Sequence, residues 1–155
     1  MPEKTAKVLQ ILRNIDAKSC CPEISAESLT ADWKLLWTTE KETLFILQRA
    51  GVFGTTAGDV WQVINAKEQT LNNIIEFPPS GRFAVAASIQ PATNGNYNTV
   101  NFKFESAELV TPKWAIPVPP FGQGWFQTVY IDNEIRIAKD SRKDWLIVER
   151  STRCP

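Results

Sequence analysis

Beyond Gly58 the chain leaves helical spacing and keeps a period of two almost to its end, cut at short intervals by turn-forming residues. Val60, Gln62 and Ile64 alternate with Trp61 and Val63 as far as Asn65-Ala66-Lys67. Thr70 to Phe77 forms the second half of a hairpin and ends at Pro78-Pro79-Ser80-Gly81. Arg82 to Gln90 is a further strand, followed by the turn Pro91-Ala92-Thr93-Asn94-Gly95-Asn96. In Tyr97 to Glu105, Val100, Phe102 and Phe104 face one way while Thr99, Asn101, Lys103 and Glu105 face the other. After a connector over 112–120 carrying Pro112, Pro117, Pro119 and Pro120, close-set strands are predicted at 125–131, 134–139 and 144–149. With Trp33 to Thr38 this makes about eight strands joined mostly by hairpin-length turns. Such spacing specifies a mainly β, antiparallel sandwich or barrel, and a barrel is preferred because closure removes exposed edges. Eight strands enclose room for about one small ligand.

Two helices are expected in addition. Val8, Ile11, Leu12 and Ile15 follow an i, i+3, i+4, i+7 pattern, with Glu3, Lys4, Lys7 and Arg13 on the other side. Cys20-Cys21-Pro22 ends that helix, so residues 1–24 read as a helix and linker, 25–151 as the β domain and 152–155 as a tail. The second helix, at 40–50, follows the first strand, with Thr39 as N-cap, Glu42 three residues on, and Gly51 as its stop. In the strand before it, Trp33 and Trp37 are expected to share a face.

Composition narrows the chemistry. Among 155 residues, 17 Lys and Arg balance 17 Asp and Glu, so no cationic field draws the chain to nucleic acid or to anionic membranes. The complete lack of histidine removes imidazole metal sites, Ser-His-Asp and Cys-His nucleophiles, and any His general base. Cys20 and Cys21 are adjacent and Cys154 stands alone, an odd set without CxxC spacing that reads as three reduced thiols. No stretch approaches the ~18 apolar residues of a membrane span, and the first residues carry no signal-peptide core. Gly51-Val52-Phe53-Gly54 lacks the Lys-Ser/Thr of a phosphate loop, and Gly122-Gln123-Gly124 precedes a strand, so both read as turns. The carboxylate pairs Glu40/Glu42 and Asp132/Glu134 read as solvated charge. Catalytic residues, metal ligands and cofactors are therefore all expected to be absent.

One pair of positions is more specific. In calycin-type barrels a Trp of the first strand lies at the closed end under an Arg from a late strand, whose guanidinium can stack on the indole. Trp33 and Arg136 are the candidates here.

The segments around them resemble the plastid-lipid-associated proteins, or fibrillins, of plants, algae and cyanobacteria. The family's opening pattern, Leu-x-Gly-x-Trp-x-Leu-Leu-Tyr-Thr-Thr, is met by Leu29-Thr30-Ala31-Asp32-Trp33-Lys34-Leu35-Leu36-Trp37-Thr38-Thr39. Its middle is met by Gly58-Asp59-Val60-Trp61-Gln62-Val63-Ile64 and by Asn73-Ile74-Ile75-Glu76-Phe77-Pro78-Pro79. Its late Tyr-Leu-Asp-Asp/Glu-x-Leu-Arg-Ile is similar to residues 130–137, and its Val-x-Arg strand to Val148-Glu149-Arg150. Pro119-Pro120-Phe121-Gly122-Gln123-Gly124-Trp125-Phe126 occurs in some members. The resemblance spans about residues 29–150 in order. The chain departs from it in having Ala31 for Gly, Trp37 for Tyr, and Ser141-Arg142-Lys143-Asp144 in the last hairpin.

The resemblance implies a lipocalin-like barrel in photosynthetic cells, placed in the plastid at plastoglobules or thylakoids, or cytoplasmic or thylakoid-associated in a cyanobacterium. It implies non-enzymatic binding of a hydrophobic small molecule or lipid of isoprenoid, quinone, carotenoid or fatty-acid type. The alternatives are a structural coat on a lipid-droplet or thylakoid surface, an accessory docked to an isoprenoid-quinone biosynthetic enzyme and, third, an enzyme. For the first, Trp37, Phe83, Val85, Phe102, Phe104 and Tyr130 are the expected interior, with Trp33 and Arg136 closing one end.

Overall fold

A computed structural model describes residues 2–18, 24–53, 55–93, 98–120 and 122–154. Cys20-Cys21-Pro22, Tyr97 and Phe121 lie outside those residues, as do Asn94-Gly95-Asn96 of the turn expected at 91–96. In chain order the elements are α1 (Pro2–Lys18), α2 (Ala26–Leu29), β1 (Ala31–Thr38), α3 (Lys41–Arg49) and a 3-10 turn (Ala50–Phe53). There follow β2 (Val60–Asn65), β3 (Thr70–Phe77), β4 (Gly81–Pro91), β5 (Thr99–Val110), β6 (Ala115–Val118), β7 (Gln123–Ile131), β8 (Ile135–Asp140) and β9 (Trp145–Ser151).

The nine strands described form one antiparallel sheet in the order β4-β3-β2-β1-β9-β8-β7-β5-β6. An additional β4–β5 pairing joins its two ends, so every strand except β6 belongs to a closed ring. β6 pairs with β5 alone, which suits Pro117, since proline has no N–H to donate to a second neighbour. The long β5 makes closure possible: it pairs with β4 along nearly its whole length, with β7 over Thr99–Lys103 and with β6 over Ala107–Val110.

Closure gives the sheet an inner and an outer face, each with its own apolar cluster. Inside, Leu29, Trp33, Ile64, Leu71, Ala87, Ile89, Phe126 and Val148 pack together, with Phe102 and Phe104 against them. Outside, α1 lies across the late strands: Leu12, Val8, Leu9 and Ile15 pack with Val129, Ile137 and Trp145. Lys139 Nζ meets the Asp16 carboxylate at 2.6 Å and pins the end of α1. Leu9 takes the place expected of Ile11, which is 58% exposed; the buried stripe is rotated by part of a turn.

Three local expectations are corrected. A bulge in β1 lies between Leu35 and Trp37, leaving Trp37 paired with Ile147 on the outer face while Trp33 points inward. The residue preceding α3 is Glu40 instead of Thr39, and it makes no side-chain cap. The Thr39 hydroxyl donates to Asp144 Oδ1 at 2.8 Å, tying the start of α3 to the β8–β9 turn. Gly51 does not stop the helical segment, which continues as a 3-10 turn to Phe53.

Candidate functional site

The inner face can be traced residue by residue, because directly paired antiparallel residues point to the same side. Trp33 pairs with Gln62, Gln62 with Asn73, Asn73 with Val85 and Val85 with Ala107. Phe83, two residues from Val85, shares its side and pairs with Leu109. A bulge between Ala86 and Ala87 then shifts the register so that Ala87 meets Phe104 and Ile89 meets Phe102. Phe102 and Phe104 are in tilted contact with ring centres 5.1 Å apart. Gly122 and Gly124 run against these two rings. A Cβ on Gly122 would lie 3.1 Å from the Phe104 ring, and one on Gly124 3.0 Å from that of Phe102. Gly122 also has φ +127°, a conformation that other residues rarely adopt. Lys103 and Glu105, between and beyond the aromatics, are exposed.

Four of the residues expected inside, Phe83, Val85, Phe102 and Phe104, thus share the inner face, where all four are only half-buried. The other two do not join them. Trp37 packs with the α1 cluster outside. Tyr130 follows a third bulge, between Thr128 and Tyr130, pairs with outward-facing Ile137, and is 42% exposed. Its hydroxyl donates to Asp132 Oδ2 at 2.7 Å, which raises the tyrosine pKa and lowers that of the carboxyl.

Trp33 is fully buried at the α2 end of the ring, where its indole N–H donates to the Leu29 carbonyl at 2.9 Å. Two arginines flank the indole. Arg150 pairs directly with Trp33 across β1 and β9, and its guanidinium carbon is 4.5 Å from the ring centre. Its donors reach the carbonyls of Ser28 (2.7 Å), Thr30 (3.3 Å) and Asn133 (3.1 Å), so it ties α2 and its C-cap to the β7–β8 turn. Sequence reasoning quoted Arg150 within the Val-x-Arg strand but assigned the stacking to Arg136. The signal that identifies Arg150 is register, which single-sequence patterns do not contain.

Arg136 is also fully buried, 5.4 Å from both the Trp33 and Phe126 ring centres. From β8 its side chain crosses the ring to β2, where Nη2 donates to Gln62 Oε1. Gln62 Nε2 in turn donates to Asn73 Oδ1 at 3.2 Å, making a polar line through an apolar interior. Arg136 Nε and Nη1 are buried without a hydrogen-bond partner among the described residues. Desolvation pushes its pKa down to about 9, and the opposing pull of Glu40 is smaller. The guanidinium remains charged at neutral pH.

Glu40 marks the other end of the ring, beside the start of α3. Burial pushes its carboxyl up to about 7, and nearby Asp140, Asp144 and Glu42 push the same way against a hydrogen bond from the Thr43 hydroxyl. Around this end, Leu44 and Phe45 of α3 are exposed, as are Trp114 and Ile116 beside the β5–β6 turn. The arrangement therefore has one end stitched by Arg150, a polar line at the centre, aromatics on the inner wall and an apolar rim at the opposite end.

The profile of the PAP_fibrillin family matches residues 1–149 of the chain. The chain is 49% identical over 150 residues to "Probable plastid-lipid-associated protein 11, chloroplastic" of Arabidopsis thaliana, an alignment covering 97% of this chain and 69% of the relative. No solved structure matches it.

Proposed function

The chain belongs to the PAP/fibrillin family, and from that premise we propose that its ring is a lipocalin-like, calycin-type barrel that binds one hydrophobic small molecule or lipid in the plastid. The observation that carries this reading is the state of the inner wall. Phe83, Val85, Phe102 and Phe104 face inward yet remain half-buried, whereas a ring filled by its own side chains would bury them fully. Covering such surface with an isoprenoid, quinone, carotenoid or fatty-acid chain is worth ~0.8 kcal/mol per CH₂ transferred from water. Binding of this kind needs no catalytic group, and the reading is non-enzymatic.

The exposed apolar rim of Leu44, Phe45, Trp114 and Ile116 favours a second role alongside it: contact with a plastoglobule or thylakoid surface, or with a membrane-bound biosynthetic enzyme, from which the ligand is taken. Titration with a neutral hydrophobic probe at low and physiological salt tests the binding reading. The balanced charge of the chain predicts little salt dependence, and Phe102→Ala weakens binding more than Lys103→Ala. Steep loss of affinity with salt, together with a silent Phe102→Ala, would leave only the surface role.

A further inference from the structure

Arg150 stitches the α2 end of the ring on its β9 side. On the side facing it, a cavity of about 110 Å³ lies between α2 and the ends of β4, β5 and β7. Leu29, Ile89 and Val100 line it and belong to, or pack against, the inner apolar cluster. Ser25 and Gln90 are exposed at its mouth, and every described residue that lines it is uncharged. Asn98 and Thr128 are its buried polar residues. Asn98 stands one residue before β5 and continues the inward row of Val100, Phe102 and Phe104, with its carbonyl accepting from the Thr128 N–H at 2.9 Å. Its side chain is weakly engaged. Among the described residues, Oδ1 is met by the Thr99 hydroxyl at 3.4 Å and by Gln127 Nε2 at 3.5 Å, and Nδ2 donates to the Thr128 carbonyl at 3.3 Å. Well-formed bonds to such an oxygen are about 2.7–3.0 Å long, so a buried acceptor here is left open to a shorter one.

We infer that this cavity seats the polar end of the interior ligand and that the ligand is an uncharged long-chain alcohol. A hydroxyl supplies the donor that Asn98 Oδ1 lacks at short range, whereas an ether, ester or ketone oxygen only accepts. A carboxylate or an ammonium would enter a space whose lining offers no opposite charge, and burying an unpaired ion is costly. At roughly 30 Å³ for each water-sized group, the space takes about four of them, a hydroxyl and the first few carbons. The rest of the chain follows the row from Val100 to Phe102 and Phe104, which Ile89 joins by pairing with Phe102. This assignment rests on the reading of the ring interior as a binding site and narrows it to one ligand class.

The test titrates decanol, decyl methyl ether and decanoate at neutral pH, followed by intrinsic tryptophan fluorescence. Wild-type protein binds decanol about fivefold more tightly than the more apolar ether, as one added neutral hydrogen bond requires, and decanoate more weakly than decanol by about tenfold or more. In Asn98→Leu the ratio of alcohol to ether falls to about one while the ether still binds. Equal affinities for alcohol and ether in the wild type, or a preference for decanoate, would overturn the assignment without any variant, so it stays falsifiable if Asn98→Leu fails to fold. A ratio that survives in Asn98→Leu would overturn it too. Failure of all three to bind would instead remove the interior binding reading itself.

Discussion

The two arginines that flank Trp33 occupy opposite surroundings. Arg150, 4.5 Å from the indole centre, gives its donors to three backbone carbonyls from two segments, and its charge is spread into fixed dipoles. Arg136, 5.4 Å away on the inner side, has one neutral acceptor and two unpaired donor nitrogens among the described residues. Identical side chains against the same ring thus contribute differently to the fold. A fully hydrogen-bonded cation at the α2 end stabilises, whereas burying a charge with unpaired donors costs stability. The two ends of the molecule differ as well, one stitched by the hydrogen bonds of Arg150 and the other bordered by exposed Leu44, Phe45, Trp114 and Ile116.

Removing the shared ring breaks both sides of the comparison at once. Trp33→Ala deletes a fully buried indole and its hydrogen bond to Leu29, and chemical denaturation is expected to show a loss of about 3–5 kcal/mol. The arginines then come apart. Arg150→Met leaves three carbonyls without their donor and lowers stability by about 2–3 kcal/mol. Arg136→Met removes an incompletely paired buried charge and stays within about 1 kcal/mol of wild type by the same measurement. Equal losses in the two methionine variants would show that both arginines are structural.

Glu40 sharpens the contrast at the open end through pH. Its folded pKa, about 7, lies above the ordinary 4.5, so the native state holds a proton that the unfolded chain releases. The contribution is fully present below 4.5 and is lost as pH rises through 7. Glu40→Gln is therefore expected to flatten the stability profile and to exceed wild type at pH 8 by on the order of 1–2 kcal/mol, allowing for partial exposure. Thermal melts of the two proteins across that range check it. The smallest effect belongs to Tyr130→Phe: the phenol lies on the outer face, so probe affinity should be unchanged within error.

How much of this was legible in the sequence depended on whether a period continued unbroken. The alternation around Phe102 and Phe104 identified one wall of the interior because β5 is regular between Thr99 and Phe104. Trp37 and Tyr130 were misplaced for a common reason. Each follows a bulge, and one extra residue moves every later side chain to the other face. Arg150 was passed over because its pairing with Trp33 joins positions 117 apart, a relation set by strand register. Thr39 looked like a helix cap by local spacing, but its hydroxyl is taken by Asp144 from the last hairpin. Such tertiary partners outweigh local preference and leave no trace in the spacing.

The account turns on whether the ring holds a ligand. The most direct measurement is mass spectrometry of the organic-solvent extract of protein purified from plastids, quantified against the protein. The account predicts about one long-chain hydrophobic molecule per chain. An extract free of any such molecule, from protein that still floats with lipid droplets, would contradict it and leave a surface coat with an empty interior.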